Sequence, residues 1–207
     1  MPFLANRLRC VALLMAVVLL GSCSLVTPTV KTQLAELRSG QYNIDKKHAA
    51  LIFKIGHMGL STFVGRFNDV NATLDFDPAN IAATKLDAQV AVASIDVNNA
   101  DLAESLRGST WFDAQQFPQA KFTTLSVQPQ SGNTFRFTGN LTLHGVTAPV
   151  TLDVTFHGGA NNVLTGFYTL GFSAAGTIKR STFGIDSYIP MIGDDVTLEV
   201  YAEFQRQ

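Results

Sequence analysis

Four histidines, His48, His57, His144 and His157, are the side chains of this sequence best suited to hold a metal or move a proton. Zinc sites draw on local pairs of ligands a few residues apart. Here His48 and His57 stand nine residues apart, and His144 and His157 fall on different strands of one hairpin. The spacing argues against a metal. Nucleophilic chemistry asks for a Ser or Cys beside a base, with donors for an oxyanion. No Gly-x-Ser-x-Gly occurs, and Ser94, Ser109 and Ser181 lie in turn-like stretches with no evident partner. None of the glycine clusters follows a strand and opens a helix, so none is a phosphate loop. The polar residues point to no catalytic residue, metal or cofactor. Arg66 and Arg180 keep one chemical use, since a planar guanidinium can bind two oxygens of a phosphate at once.

The two cysteines belong to the N-terminus. Arg7 and Arg9 precede an apolar run, Cys10–Leu20, that is too short to span a bilayer as a helix and has the order of a signal peptide. Leu20-Gly21-Ser22-Cys23 then resembles the lipobox of bacterial lipoprotein precursors. Residues 1–22 are expected to leave as a signal, and Cys23 to carry lipid as the first mature residue. Ser24 rather than Asp follows, which by the sorting rule of enterobacteria-like species implies the outer membrane. An ordinary cleaved signal would instead leave the protein in the periplasm. Residues 23–40 are expected to form a tether, with a short helical turn around Leu34 and Leu37, holding a domain at the periplasmic face without inserting it. The mature domain, 41–207, then has no thiol and must be stabilised by its core alone. A net charge of -1 and the lack of a basic stripe exclude nucleic acid as a partner.

The elements that must position anything are strands. In Thr134–His157, Phe135, Phe137, Leu141 and Leu143 alternate with polar residues. After a break at Gly145–Pro149, Val150, Leu152, Val154 and Phe156 do the same. Period-two alternation marks strands with one buried face, and the break predicts a hairpin turn. Short strands at Tyr42–Asp45 and Leu51–Ile55, a strand closed by Leu74 and Phe76, and others at Leu86–Val97, Lys121–Val127, Leu164–Ala174 and Val196–Phe204 complete a set of about eight or nine. The period changes in Asn98–Arg107, which predicts one helix, capped by Asn98 and stopped by Gly108. The pattern predicts an all-β antiparallel barrel or sandwich, and a barrel of about eight strands can hold one slender ligand. Phe dominates the aromatics, with 15 Phe against 4 Tyr and 1 Trp, which suits either an ordinary core or an apolar tunnel.

Motifs in one order carry a resemblance. They run Tyr42-x-Ile44-Asp45-x-x-His48, Phe53-x-Ile55-x-His57-Met58-Gly59, Gly65-x-Phe67, Ser94-Ile95-Asp96, Leu106-Arg107, Phe112-Asp113, Phe117-Pro118 and Phe122. Gly139-x-Leu141-Thr142-x-His144-Gly145-Val146-Thr147-x-Pro149-Val150 and Arg180-Ser181-x-Phe183-Gly184 follow. From Gln41 nearly to the C-terminus the chain resembles the YceI family of bacterial periplasmic lipid-binding proteins. That resemblance implies an extended, lipocalin-like, eight-stranded barrel enclosing an isoprenoid chain, of a polyprenyl phosphate or an isoprenoid quinone. Two departures bear on the head group: Ala49 stands where the family commonly has Ser, and Thr182 where it often has Asp.

The expected lining is the in-phase set Phe53, Ile55, Phe76, Phe135, Phe137 and Phe172, with Leu152, Phe156 and Leu170 in the same phase. Met58, Phe63, Phe67, Trp111 and Phe112 are expected at the mouth, His57, Arg66 and Arg180 at a polar head group, and Phe183, from the last motif, is a further expected ligand-binding residue. The partners are then an isoprenoid lipid or quinone and, through the anchor, a membrane; a homodimer is compatible with the sequence. The alternatives are an envelope stress-related interaction scaffold with a filled barrel and, behind it, a hydrolase.

Overall fold

The structure is a computed structural model that describes residues 28–207, so the signal segment and Cys23 lie outside the described residues. In chain order the elements are β1 (Gly40–His57), β2 (Ser61–Phe67), β3 (Val70–Phe76), β4 (Lys85–Ala91), β5 (Ile95–Asp96), α1 (Ala100–Arg107), β6 (Gln119–Pro129), β7 (Thr134–Leu143), β8 (Val146–Asn161), β9 (Tyr168–Lys179) and β10 (Ile192–Arg206). Every pairing is antiparallel. The sheet runs β10-β9-β8-β7-β6-β4-β3-β1, and β10 pairs back onto β1. The result is a closed barrel with eight walls, which leaves no open strand edge between neighbours. β2 continues the line of β3: Gly40–Asn43 of β1 pair with β3, and Leu51–His57 pair with β2.

Local chemistry explains the corners. The β7–β8 hairpin turns at His144 and Gly145, whose φ values of 51° and 76° suit the tight turn that matches strand twist. The turn is shorter than the expected break at Gly145–Pro149, and Pro149 stands within β8 opposite Asn140. Proline withdraws an N–H but does not by itself end a strand. Tyr42–Asp45 and Leu51–Ile55 belong to one long strand, because the polar interval between them is an irregularity against β10, between Ile44 and Ala49. β9 starts at Tyr168 rather than near Leu164. The helix is capped by Asn99, whose side chain accepts from Leu102 N–H at 3.0 Å. The expected cap, Asn98, precedes it in a left-handed conformation.

Inward residues divide along the barrel axis. At one end Tyr42, Leu74, Phe76, Phe135, Phe137, Phe156, Leu170 and Phe204 pack into a single buried cluster. The residues expected to be a free tether dock there from Lys31 onward. Lys31 and Gly159 exchange backbone hydrogen bonds of 2.8 Å, Leu34–Glu36 form a single 3-10 turn, and Leu37 is buried in the cluster. An apolar Leu in a polar segment is what draws that segment onto the barrel. This is the closed end. Two smaller clusters, one around Phe122, Leu143 and Phe183 and one around Phe53, Ile95 and Leu106, border the other end.

Candidate functional site: an apolar cavity at one end of the barrel

The end opposite Lys31 encloses a cavity of about 260 Å³. Its wall is made by the last turns of β1 (Leu51, Phe53, Ile55), β2 (Phe63, Phe67), β7 (Leu141, Leu143) and β9 (Ile178), and by the start of β10 (Ile192, Val196, Leu198). Leu102 and Leu106 of α1 and the following Trp111 and Phe112 lie across it. Among the described residues, His57 and Arg180 are the only charged or titratable side chains that line it. Such a space offers dispersion contact to hydrocarbon and almost nothing to a polar solute.

The wall keeps its width by pairing large residues with absent ones. Phe53 lies opposite Gly65 on the neighbouring strand. A Cβ at Gly65 would come within 2.6 Å of the Phe53 ring and 2.8 Å of Val97. Phe53 also tilts against Phe67 at 5.8 Å, and Phe67 meets Phe112 edge-on at 5.8 Å. Helix α1 is strapped to this wall by Arg107, which donates to the carbonyls of Ala93 and Ile95.

Arg180 organises the rim. Its guanidinium is buried and donates to the carbonyls of Gly193, Ile185, Ser187 and Ile192 at 2.7–2.9 Å. It also faces the Trp111 ring at 5.5 Å, and Trp111 stacks on Tyr188 at 5.8 Å. Burial pulls its pKa down from the ordinary arginine value, against the attraction of Asp194 and Asp186. Arg180 therefore holds the 185–193 loop; it is not a free clamp for phosphate, although one N–H of its five has no partner among these bonds. Around the rim, Met58 (56% exposed), Leu60 (84% exposed) and Met191 are uncovered, and Met58 N–H donates to the Met191 carbonyl at 2.6 Å.

Of the residues expected to bind ligand, Phe53, Ile55, His57, Phe63, Phe67, Trp111, Phe112 and Arg180 come together around the cavity. Phe76, Phe135, Phe137 and Phe172 do not. They face inward as their phase requires, but they pack at the closed end, because alternation specifies a face and not a height along the axis. Phe183 is buried beside Leu143 and Ile178, behind the wall. Arg66 is exposed: Phe63, Gly65 and Phe67 take the inward phase of β2, which puts Arg66 outside, near Asp96. Met58 stands on the rim, outside the cavity. The cavity is also lined by aliphatic residues outside the expected set: Leu51, Val90, Val92, Leu102, Leu106, Ala120, Leu141, Leu143, Ile178, Ile185, Ile192, Val196 and Leu198. Leu51, Val196 and Leu198 share a phase with recognised neighbours, and that phase was the available signal.

Ser94, Ser181, His144 and His157 have structural partners. Ser94 Oγ donates to the Ala91 carbonyl, and Ser181 Oγ donates to Asp194 at 2.9 Å. His157 bonds Ser173 on the outer face, and His144 Nδ1 donates to the Phe183 carbonyl at 3.0 Å while packing edge-on against Phe117. His144 thus sits in the hairpin turn, partly covered, and not on a solvated strand face. One grouping of three metal-capable side chains exists among the described residues: Asp45, His48 and Glu203, on the outside at the β1 irregularity. Asp45 is already bonded by His48 Nδ1 at 2.9 Å, Lys47 N–H and the Gln205 amide. That set locks the irregular strand in place.

Comparison with known proteins agrees with this architecture. The family model described as YceI-like domain matches residues 42–204. A UPF0312 protein of Pectobacterium atrosepticum is 36% identical, covering 89% of this chain and 97% of its own. A UPF0312 protein of Yersinia pestis is 37% identical over 80% of this chain and 86% of its own. Among solved structures, Burkholderia cenocepacia BcnA matches with a TM-score of 0.71 at 27% identity, covering 77% of this chain and 98% of its own. The Campylobacter jejuni YceI protein matches with a TM-score of 0.66 at 32% identity, over 74% and 91%. A polyisoprenoid binding domain from Saccharophagus degradans shares the fold at 12% identity, with a TM-score of 0.61 over 82% and 100%. With a match spanning nearly all of the barrel, from the buried Tyr42 to Phe204, the chain belongs to the YceI-like domain family.

Proposed function

We propose that this protein binds an isoprenoid lipid, of the polyprenyl phosphate or isoprenoid quinone type, and sequesters or carries it in the bacterial envelope. The observation that carries this reading is the cavity wall, apolar except for His57 and Arg180. Each methylene withdrawn from water into such a wall contributes about 0.8 kcal/mol, and no bond need be made or broken. The name of the Saccharophagus degradans domain lends the reading support. The two polar lining residues lie together toward the rim, which suits a ligand entering tail first. Lipidated Cys23 would hold the barrel at the periplasmic face, on the outer membrane by the Ser24 rule. A scaffold alternative expects a barrel filled from end to end, and the cavity bordered by Phe53 and Trp111 speaks for the lipid reading instead.

Native mass spectrometry of protein extracted gently from bacterial envelopes tests the reading. It should show a co-purifying lipid whose fragments carry isoprene units. A homogeneous empty protein that takes up neither quinone nor polyprenyl lipid would overturn it.

A further inference from the structure

At the end of the barrel where Lys31 docks, the tip of the β8–β9 hairpin is apolar. Leu164, at 88%, is the most exposed large apolar side chain among the described residues, and Val163 and Phe167 beside it are also uncovered. No charged residue stands between Asn161 and Tyr168. The turn satisfies its own backbone. Asn162 and Gly166 N–H donate to the carbonyls of Phe167 and Asn162 at 2.8 Å. Leu164 and Thr165 N–H donate to the Asn162 side chain, and Phe167 N–H donates to Thr165 Oγ1. Gly166, with φ 77°, supplies the left-handed step that closes the turn. A tip built this way can leave water without stranding those donors.

We propose that this tip is a membrane contact: Val163, Leu164 and Phe167 enter the headgroup–acyl boundary of a bilayer and stand the barrel on end, with the cavity mouth pointing away from that membrane. The choice of a bilayer as occupant rests in part on the Cys23 reading above. Lys31 and Gly159 form an antiparallel bridge, so the chain from Lys31 back to Pro28 runs toward the hairpin tip, past the uncovered Val30. Cys23 stands five residues before Pro28, a reach of at most about 18 Å, so a lipid on it would enter a membrane beside the tip. The nearby charges offset one another, with Lys31 bonded to Glu36 at 2.9 Å and Asp75 opposite Lys85. The contact is therefore apolar and independent of lipid charge. β1 extends from Gly40 at this end to His57 at the cavity. That is roughly 55 Å along the strand and about 40 Å along the axis of a barrel of ordinary tilt, so the rim around Leu60 stands clear of the same bilayer.

The test reads the depth of a single tryptophan in the full chain extracted from bacterial envelopes. Trp111 is the only tryptophan, so Trp111→Phe combined with either Leu164→Trp or Leu60→Trp carries one ring, at the tip or at the rim. Each protein is reconstituted with phosphatidylethanolamine–phosphatidylglycerol vesicles, with or without lipids brominated along the acyl chains, and recovered by flotation. Bromine should reduce the Leu164→Trp emission by about threefold or more, and the Leu60→Trp emission by less than about a fifth. Raising salt from about 0.1 M to about 1 M should leave both unchanged. Wild-type protein supplies a second readout: hydrogen exchange in residues 161–168 should slow by about threefold or more on vesicles, and exchange in 58–61 should not. A floating protein whose tip is neither quenched nor protected, or whose two ends respond alike, would overturn the tip contact and leave the anchor intact. Protein that does not float would overturn the contact as well, and dimers with a buried tip would assign the patch to a second copy instead.

Discussion

Phe156 and Phe172 face each other across β8 and β9 at 5.3 Å, within the cluster that packs one half of the barrel and away from the cavity at the other end. In that half the chain's own rings pack together, and the segment around Leu37 docks on them. On the other side the same pattern of inward apolar residues leaves space. A filled barrel is more stable, since each buried ring adds dispersion contact and sheds water. The open half is therefore stability forgone at the place where a ligand can supply the missing contacts.

The two halves should respond differently to truncation. Phe137 is buried in the packed cluster (4% exposed), so Phe137→Ala should cost about 3–5 kcal/mol in denaturant unfolding. Phe63 borders the cavity, and Phe63→Ala should cost less than about 2 kcal/mol because its ring already has empty space on one side. Lipid uptake should fall for Phe63→Ala and be retained by the Phe137 variant molecules that remain folded. Equal losses of stability would contradict the division.

Arg180 should matter through the loop it holds. Arg180→Met would leave four carbonyls of the 185–193 segment without their donor, each worth about 1–3 kcal/mol when buried and unpaired. Hydrogen exchange in that segment should accelerate and thermal stability should drop. Arg180→Lys should rescue little, because an ammonium cannot reproduce the fork. Unchanged exchange in the Met variant would show the loop to be held by other contacts.

How much of this was legible beforehand follows from what periodicity encodes. The phase of Phe53, Phe137, Phe156 and Phe172 correctly assigned them to the inside. It could not say that Phe53 would border space while Phe156 met Phe172, since that depends on which strands bring rings to the same height. Arg180 carries a charge and stands in a turn, features shared by surface ligands for phosphate; only the folded chain brings the carbonyls of Gly193, Ile185, Ser187 and Ile192 to it. Leu34 and Leu37 predict a turn, and a turn is there, but two apolar residues in a polar stretch do not tell that both pack onto the barrel. Asp45 and His48 stand three residues apart in sequence, but only the irregularity of β1 brings their side chains together.

The Asp45–His48 pair gives the seam a pH dependence of known sign. The hydrogen bond from His48 lowers the Asp45 pKa below its ordinary 3.8, and the same bond raises that of His48 above 6.5. A depressed carboxylate contributes above its unfolded value and loses the contribution as pH falls through the folded one. A raised histidine contributes below its unfolded value and loses it as pH rises through the folded one. The pair therefore supports the fold fully near pH 5, and less above neutrality and in strong acid. Unfolding midpoints from pH 3 to 9 should show this hump, and His48→Asn should flatten its alkaline side.

The proposed placement at the envelope depends on Cys23. The wild-type protein should fractionate with membranes and carry acyl mass on its N-terminal peptide. Cys23→Ala should leave soluble protein or uncleaved precursor. Wild-type protein found in soluble periplasm without acyl mass would contradict the lipobox reading and leave the cavity argument untouched.

Trp111 offers the most direct measurement of ligand entry, because it is the only tryptophan and lines the cavity. Titrating delipidated protein with farnesol should change its emission saturably at one ligand per chain, with a shift to shorter wavelength as water leaves the ring. Ala120 lines the same space, and Ala120→Phe, verified as folded by circular dichroism, should abolish the change by filling the cavity with protein. A missing response in wild type, or an undiminished one in Ala120→Phe, would contradict the claim that this cavity is where the isoprenoid chain binds.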